Sequence, residues 1–540
     1  MAGHGLAPAV AVEPALPALL RWATVCAGTD GPGRARQPRG GFGNEREGAR
    51  VTGRVIWTSI VCVVVGLVVS ASATGVGASG VGASGIGAYT NPPPGVGVLS
   101  GDAPESVQLS RELYARSDEA ILVGPDALDD AAGRAAAARV AQDKHVPVLA
   151  VTPQTAPSVT DELRRLGVET EVRLGRVDGI PSPRISAALD DLRGNSPRSG
   201  TAPVVMLTRD APADAIMTAR SAARVVEVPV PDPRATAESV ATIEAAASEP
   251  AAVRAVGPGF GTTEEFARRV ELARDTPELP GGGQVVFPGR RMVALYGSPD
   301  APALGPLGRQ GIAASIDRVR RLAAEYQRVS AEPVIPAFEI IASVASAEPG
   351  PGSTYTNMID PETLRPWVEA AGRAGVYVTL DLQPGRMDFL TQARRYVDLL
   401  AQPHVGLALD PEWRLEPDQV HLTQIGSVGA GEVNRTSEWL AGLVRSRHLP
   451  QKLFVLHQFD AGMLDDRPAI VTDRDELQVV LHADGHGTPD VKMETWRRLV
   501  TDLPAGMWMG WKNFYAEDKP TFSPATTLAV RPSPWFVSYQ

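Results

Sequence analysis

Two segments near the C-terminus, LFVLHQ at residues 453–458 and LQVVLHAD at residues 477–484, carry the pattern that decides the fold. Each is a continuous apolar run that ends in polar or ionisable residues. A continuous run is typical of a parallel strand buried on both faces, because a strand with one wet face would alternate apolar and polar residues. The sequence therefore predicts buried parallel strands whose ends carry polar groups.

Six further runs in the second half of the chain follow the same pattern. The full set is Met292–Tyr296, Val334–Phe338, Val376–Leu380, Val405–Leu409, Leu453–Leu456, Leu477–Leu481, Met507–Gly510 and Trp535–Val537. Most are separated by stretches with helical spacing of apolar residues, at 311–327, 361–375, 389–401, 431–447 and 491–502. Strands alternating with helices over about 250 residues predict a (β/α)8 barrel, here at 288–540, with its active site at the carboxyl ends of the strands.

Composition narrows the classes of function. With 540 residues the chain is too long for a single core, and its formal net charge of −10 gives no reason to expect a nucleic-acid partner, because phosphate binding needs clustered positive charge. The two cysteines, Cys26 and Cys62, precede the predicted folded domains, so no disulfide framework is expected there. The glycines of 257–261 lack the dinucleotide-binding spacing, and no cofactor is predicted.

The N-terminal part of the chain predicts export. Residues 55–73 are the segment long and apolar enough to enter a bilayer; they follow three arginines and end in Ala71-Ser72-Ala73, a pattern that signal peptidase accepts. We expect 51–73 to be a signal peptide or a membrane anchor, which leaves 1–50 as a disordered extension or a misplaced translation start. Residues 74–104, rich in glycine, serine and proline, predict a flexible linker.

Residues 105–287 predict a doubly wound α/β domain in which one pattern occurs twice. Strands at 120–124 and 204–208 each lead into a helix that begins with aspartate and alanine, then a strand, a second helix and a strand ending in glycine. This pattern resembles the cell-wall-binding repeat of the second type. The resemblance implies attachment to anionic wall polymers. The whole arrangement, with PAFE at 336–339 and GWKNFY at 510–515, is similar to uncharacterised actinobacterial envelope proteins.

Asp410 and Glu412 follow the fourth run and predict the centre of the site. Two carboxylates on one wall of a cleft repel each other, which raises one pKa and permits a division into acid and base. The sequence Leu409-Asp410-Pro411-Glu412-Trp413 resembles the end of the fourth-strand motif of chitinase-type glycosidases, and this implies that Glu412 is a proton donor with Asp410 as its partner. The earlier aspartates of that motif are replaced by Gly406, Leu407 and Ala408.

The other candidates also follow predicted strands. Glu339, Asp381 and His457 are further candidates for nucleophile, base or substrate contact. Aromatic faces stack on sugar rings, and polar side chains bind hydroxyls or carboxylates. The candidates for substrate binding are Arg386, Trp413, His482, Asp484, Trp511, Lys512 and Tyr539.

Three functions remain open at this level. The first is a glycoside hydrolase-like barrel that acts on cell-wall polysaccharide or peptidoglycan. The second is a metal-dependent hydrolase, because His457, His482, Asp484 and His486 lie close in sequence and offer nitrogen and oxygen ligands. The third is a non-catalytic wall-binding protein, in which the aromatic residues would be useful and the carboxylates would not.

Overall fold

The computed structural model describes residues 87–181, 185–249 and 251–540. The predictions for the extension at 1–50 and for the apolar export segment at 51–73 lie outside the described residues. Within the described ranges, no helix is both long enough and apolar enough to span a bilayer.

The second half of the chain forms a closed barrel of parallel strands, which confirms the TIM-like prediction. Its strands are β11 (Arg291–Gly297), β12 (Val334–Ala345), β14 (Tyr377–Leu382), β15 (Val405–Leu409), β17 (Lys452–Gln458), β19 (Leu477–Ala483), β20 (Trp508–Asn513) and β21 (Phe536–Tyr539). Each strand pairs in parallel with the next, and β11 pairs with both β12 and β21 to close the barrel. Most strands run one to three residues past the predicted apolar runs, and β12 runs seven residues past, so polar residues such as Glu339 and His457 lie inside the strands.

Alternation along each strand divides the barrel residues into two cores. Inward residues such as Ala337, Leu453 and Val480 pack with one another inside the barrel. Outward residues such as Phe338 and Leu456 pack against the surrounding helices. Because successive side chains on a strand point to opposite faces, the position of the last inward residue decides what each strand contributes to the mouth.

The helices of the barrel lie close to their predicted positions. They are α8 (Ile312–Gln327), α9 (Pro361–Arg373), α10 (Phe389–Arg395), α11 (Val397–Leu400), α12 (Ala430–Ser446), α13 (Pro489–Val500) and α14 (Pro524–Ala529). The start of α9 shows how they are delimited: the Asp360 carboxylate accepts a hydrogen bond from the Glu362 backbone N–H, and Pro361 occupies the first position, where no N–H is required. Short strands β13 (Thr356–Met358), β16 (Val428–Gly429) and β18 (Leu464–Asp465) lie in the connecting loops.

The first half contains two four-stranded parallel sheets, one for each predicted copy. One sheet has the order β5 (Val148–Ala150), β4 (Glu119–Val123), β6 (Thr170–Leu174), β7 (Ile185–Ser186); the other has the order β2 (Gly95–Leu99), β10 (Ala252–Val256), β8 (Val204–Thr208), β9 (Arg224–Val228). The strands β1 (Ala88–Tyr89) and β3 (Tyr114–Arg116) form a separate antiparallel pair. The helices are α1 (Glu105–Leu113), α2 (Pro125–Asp129), α3 (Ala131–Lys144), α4 (Ala156–Leu166), α5 (Ala213–Ala222), α6 (Ala237–Ser248) and α7 (Thr263–Asp275).

The predicted linker at 74–104 is wrong for its last part. Residues Gly95–Leu99 form β2, which pairs in parallel with Ala252–Val256 along its whole length. The segment GVGVL consists of glycine, valine and one leucine on a partly buried edge, and the backbone hydrogen bonds to β10 supply the order that the glycines lack. The folded part of the α/β region therefore begins before residue 105.

The α/β region contacts the amino-terminal end of the barrel. Asp475, two residues before β19, accepts hydrogen bonds from Arg234 at 3.0 Å, Arg268 at 2.6 Å and Arg269 at 3.3 Å. Interactions with these arginines outweigh the effect of burial and lower the pKa of Asp475 to about 2. The contact therefore leaves the opposite, carboxyl-terminal end of the barrel free for a site.

Candidate functional site

The last inward residues of the strands form one polar layer at the carboxyl-terminal mouth of the barrel. The apolar inner core lies below this layer, and most side chains of the layer itself are ionisable. The layer and the three residues that follow its strands comprise Tyr296, Glu339, Asp381, Asp410, Glu412, His457, His482, Asp484, Lys512 and Ser538. All but Glu412 are almost completely buried, and Glu412 is partly exposed at the rim. The mouth therefore has a buried ionisable cluster with the partly exposed residue Glu412 beside it.

His457 links two carboxylates at the centre of the cluster. Its Nδ1 lies 3.0 Å from Asp484 Oδ2, and its Nε2 lies 3.0 Å from Glu339 Oε1. Burial alone would lower the pKa of the imidazole, but Glu339 and Asp381 outweigh that effect and raise the pKa well above its usual range. Burial alone would raise the pKa of Glu339, but His482 and His457 outweigh that effect and lower the pKa to about 2.

His482 lies beside His457 on the neighbouring strand, with the ring centroids 4.7 Å apart. Its Nε2 lies 3.2 Å from the Ser538 hydroxyl, and its Nδ1 lies 3.9 Å from Glu339 Oε1. Burial lowers the pKa of His482 to about 3, so the ring is neutral at physiological pH. Gly510 makes room for it, because a Cβ at that position would come within 2.9 Å of the ring carbon Cδ2.

Asp381 is oriented by Tyr296. The Tyr296 hydroxyl donates to Asp381 Oδ2 at 2.7 Å, and the Lys512 ammonium lies 3.6 Å from the centroid of the tyrosine ring. The other oxygen, Asp381 Oδ1, lies 3.9 Å from His457 Nε2. Burial, followed by repulsion from Glu339, raises the pKa of Asp381 to about 6. This carboxyl group can therefore gain and lose a proton close to neutrality.

Asp410 and Glu412 carry the highest carboxyl pKa values of the mouth. Asp410 follows β15 directly, whereas Glu412 lies in a 3-10 turn at Pro411–Trp413 and does not continue the strand as expected. Burial, followed by the charge of Glu412, raises the pKa of Asp410 well above its usual range. Burial, followed by the charge of Asp484, raises the pKa of Glu412 to about 8. Glu412 is therefore mostly protonated at pH 7.

Several buried polar atoms of the cluster have no hydrogen-bond partner within the described part of the chain. Buried polar atoms without partners are uncommon, because each costs about 1–3 kcal/mol, and a group of them at one place indicates that the cluster binds something further. The unpartnered atoms here are Glu339 Oε2, Asp381 Oδ1, Asp410 Oδ1, His482 Nδ1 and Asp484 Oδ1.

Five predicted residues are not part of the cluster; four of them are Trp511, Tyr539, Arg386 and His486, and the fifth is Trp413. Trp511 and Tyr539 point outward: Trp511 stacks on Phe522 and contacts Trp496, and the Tyr539 hydroxyl lies 2.7 Å from that of Tyr326 on α8. They pack in the layer between barrel and helices and do not line the mouth. Arg386 donates to the Gln419 carbonyl in the surrounding loops, and His486 packs edge-to-face on Phe514 at 5.5 Å.

Trp413 lies next to Glu412 in the 3-10 turn. Its ring packs edge-to-face on His421, 5.4 Å between centroids, and its side chain is partly exposed. Of the three aromatic residues predicted to bind substrate, Trp413 is therefore the one that lies beside Glu412.

Sequence reasoning missed Tyr296 and Ser538. Both lie on the inward face of their strands, two residues after Ala294 and Phe536 of the inner core. Counting inward positions in steps of two from the apolar core would have selected both residues. The same count would have excluded Trp511 and Tyr539, each of which is next to an inward residue.

No protein-family model matches this sequence, and a search of curated proteins likewise finds no match. The kind of site is therefore inferred from the structure of the mouth. The ionisable cluster lies at the carboxyl ends of the strands of a TIM-like barrel, which is where barrel enzymes carry their active sites.

Proposed function

We propose that this barrel is a hydrolase that cleaves a glycan, with Glu412 as the proton donor. One observation carries the proposal: at a single mouth, a partly exposed carboxyl group is kept protonated at neutral pH while a second, Asp381, titrates near neutrality. Carboxyl groups whose pKa values are pushed apart are the arrangement that general acid–base catalysis requires.

The proposed reaction uses the two groups in turn. Glu412 donates its proton to the glycosidic oxygen as the bond from that oxygen to the anomeric carbon breaks. A water molecule adds to the anomeric carbon, and its proton passes to Asp381 Oδ1, the oxygen that has no hydrogen-bond partner. Tyr296 holds the second oxygen of Asp381 and so fixes the direction in which Oδ1 points.

Two further residues support a sugar substrate. The partly exposed Trp413 ring adjoins Glu412, and an indole face stacks on the apolar face of a sugar ring. The Lys512 ammonium is held over Tyr296 within the same mouth, where it can donate to a hydroxyl or a carboxylate of the substrate.

We further propose that the chain is an exported envelope protein. The support is the apolar segment at 55–73 and the repeated α/β pattern, whose two copies occupy one sheet each. In this proposal the α/β region attaches to wall polysaccharide or peptidoglycan, the N-terminal segment contacts the membrane, and the barrel mouth faces away from the α/β region.

The test separates hydrolysis from binding. Purified wall polysaccharide is incubated with the wild-type protein, Glu412→Gln and Asp381→Asn, and both the release of reducing ends and the bound fraction of protein are measured. Hydrolysis predicts release by the wild type alone, with binding retained in all three. Binding without release in any of the three would support a non-catalytic wall-binding protein and would end the hydrolase proposal.

A further inference from the structure

Two imidazoles in the cluster converge on one carboxylate oxygen. Glu339 Oε1 lies 3.0 Å from His457 Nε2 and 3.9 Å from His482 Nδ1. Two ligands bound at about 2.1 Å to the same metal ion, at angles of 90–110°, are roughly 3.0–3.5 Å apart. The first distance lies in this range and the second exceeds it by a few tenths of an ångström, and one ligand atom from each of the three residues lies within 4.8 Å of the others.

Each imidazole is fixed at its other nitrogen. Asp484 Oδ2 lies 3.0 Å from His457 Nδ1, and Ser538 Oγ lies 3.2 Å from His482 Nε2. Histidines that bind metals are usually oriented in this way, with an outer carboxylate or other polar group that sets the tautomer and the direction of the free nitrogen.

The atoms that face the centre of the cluster have unused bonding capacity. His482 Nδ1, Glu339 Oε2 and Asp381 Oδ1 are buried and have no hydrogen-bond partner within the described ranges. All three residues are 0 % exposed, so whatever satisfies these atoms must be small. An ion or a water molecule meets this size requirement.

Carboxyl groups outnumber basic side chains around the cluster. Five carboxyl groups lie at the mouth, at Glu339, Asp381, Asp410, Glu412 and Asp484, with the Lys512 ammonium among them, while the neighbouring Lys492 is paired with Asp518 at 2.9 Å. The Lys512 ammonium lies over the ring of Tyr296 at 3.6 Å. In the absence of a bound ion, protons on these carboxyl groups and on His457 balance the charge.

We propose that Glu339, His457 and His482 hold a divalent transition-metal ion, with Asp381 Oδ1 facing the open coordination position. Two imidazoles and one carboxylate suit zinc and its first-row neighbours, while magnesium and calcium prefer oxygen ligands alone. A water molecule on the ion would be activated for attack, and Asp381 would accept its proton. That last role rests on the hydrolysis proposed above; the binding of the ion does not.

The ligand set differs from the sequence-based hypothesis in three residues. His486 packs on Phe514 outside the cluster, and Asp484 supports His457 in place of binding the ion. Glu339, which that hypothesis did not include, supplies the carboxylate.

The inference is tested by metal binding in the absence of any substrate. Full-length protein is stripped with a chelator and titrated with Zn²⁺ and with Co²⁺ by calorimetry, and the visible spectrum of the cobalt form is recorded. We expect one ion per chain, displacement of Co²⁺ by Zn²⁺, and cobalt absorption bands of a nitrogen–oxygen site of four or five ligands. Mg²⁺ in excess should not compete.

Variants assign the ligands. Glu339→Gln and His482→Asn should weaken Zn²⁺ binding by at least about a hundredfold, and Asp484→Asn, which removes only outer support, by about 10–100-fold. His486→Asn is the matched control and should bind as the wild type does. Circular dichroism identifies a variant that fails to fold; in that case the milder Ser538→Ala, expected to weaken binding about tenfold, replaces it.

The outcomes separate this inference from the proposed function. No stoichiometric binding by the wild type, or equal binding by Glu339→Gln and the wild type, overturns the metal site and leaves acid–base hydrolysis standing. Tight binding that His482→Asn and Glu339→Gln abolish supports the site, even if no wall polymer is cleaved. Loss of binding in His486→Asn alone would place the ion elsewhere and overturn the assignment.

Discussion

Replacing Glu412 with glutamine should abolish turnover while making the protein more stable at alkaline pH. The amide has the shape of the protonated carboxyl group but cannot donate its proton to a leaving group. General acid catalysis contributes about 10²–10⁴-fold to a rate, so turnover should fall by that factor. A substitution that merely damaged the fold would reduce both activity and stability.

The size of the stability effect follows from the pKa of Glu412. Burial and Asp484 raise it from 4.5 to about 8, which at about 1.4 kcal/mol per pKa unit sets an upper limit of about 5 kcal/mol. The side chain is partly exposed and shares its field with Asp410, Asp381, His457 and Lys512, so we expect about 1–2 kcal/mol. The pKa of Glu412 is higher in the folded protein than in the unfolded chain. Its contribution to the free energy of unfolding is therefore fully present below pH 4.5 and is lost as the pH rises through about 8.

The assay is urea unfolding of wild type and Glu412→Gln at pH 5 and pH 9, together with the pH profile of reducing-end release. The free energies of unfolding should agree at pH 5, and the variant should be more stable at pH 9. Wild-type turnover should fall as the pH rises above about 8. Glu416→Gln, an exposed glutamate in the same loop, is the control and should change neither quantity. Equal unfolding curves at pH 9, or undiminished turnover in Glu412→Gln, would refute the assignment of Glu412.

Three further predictions concern other parts of the molecule. Lys452 is fully buried, its ammonium donates to the carbonyls of Gln402 and Val405, and burial lowers its pKa to about 7; because the unfolded chain then binds more protons, wild-type stability relative to Lys452→Met should rise by up to about 5 kcal/mol between pH 7 and pH 10.5, as measured by urea titration. Asp475→Asn should cost about 2 kcal/mol at neutral pH, because the depressed pKa of Asp475 contributes stability above pH 4 that is lost as the pH falls towards 2; thermal melts at pH 7 and pH 2.5 should show the difference shrinking, and a constant difference would contradict the ion-pair explanation. Gly510→Ala should displace the His482 ring and reduce turnover by at least about tenfold with an unchanged circular dichroism spectrum, since small displacements of reacting groups are costly; unaltered turnover would show that the ring position is not critical.

The barrel was predictable because its signal is local. Continuous apolar runs are required wherever a parallel strand is covered on both faces, and each run, such as Val405–Leu409, appears in the structure as a strand. The helices between them were predictable for the same reason, from apolar spacing. The linker prediction failed at Gly95–Leu99, because small residues can form a strand when a neighbouring strand supplies the hydrogen bonds, and composition does not reveal that neighbour.

The site was predictable only in part. The polar ends of strands indicated the mouth, and the structure does bring Glu339, Asp381, His457, His482 and Lys512 together there. Proximity in sequence was a poorer guide: His486 follows His482 by four residues but lies against Phe514, while Ser538 is 56 residues away and contacts the ring. The face of the strand decides which residues meet.

By itself the sequence determined the class of fold, since hydrophobic burial acts on each segment and leaves its period in the chain. It also determined that ionisable groups would follow the apolar runs. Only the tertiary structure decided which of those groups share a cluster and what their pKa values are, because both depend on barrel closure and burial. Glu412 and Glu339 are both glutamates that follow apolar runs, yet one has a pKa of about 8 and the other of about 2. Their neighbours in space, Asp484 for one and two imidazoles for the other, make the difference.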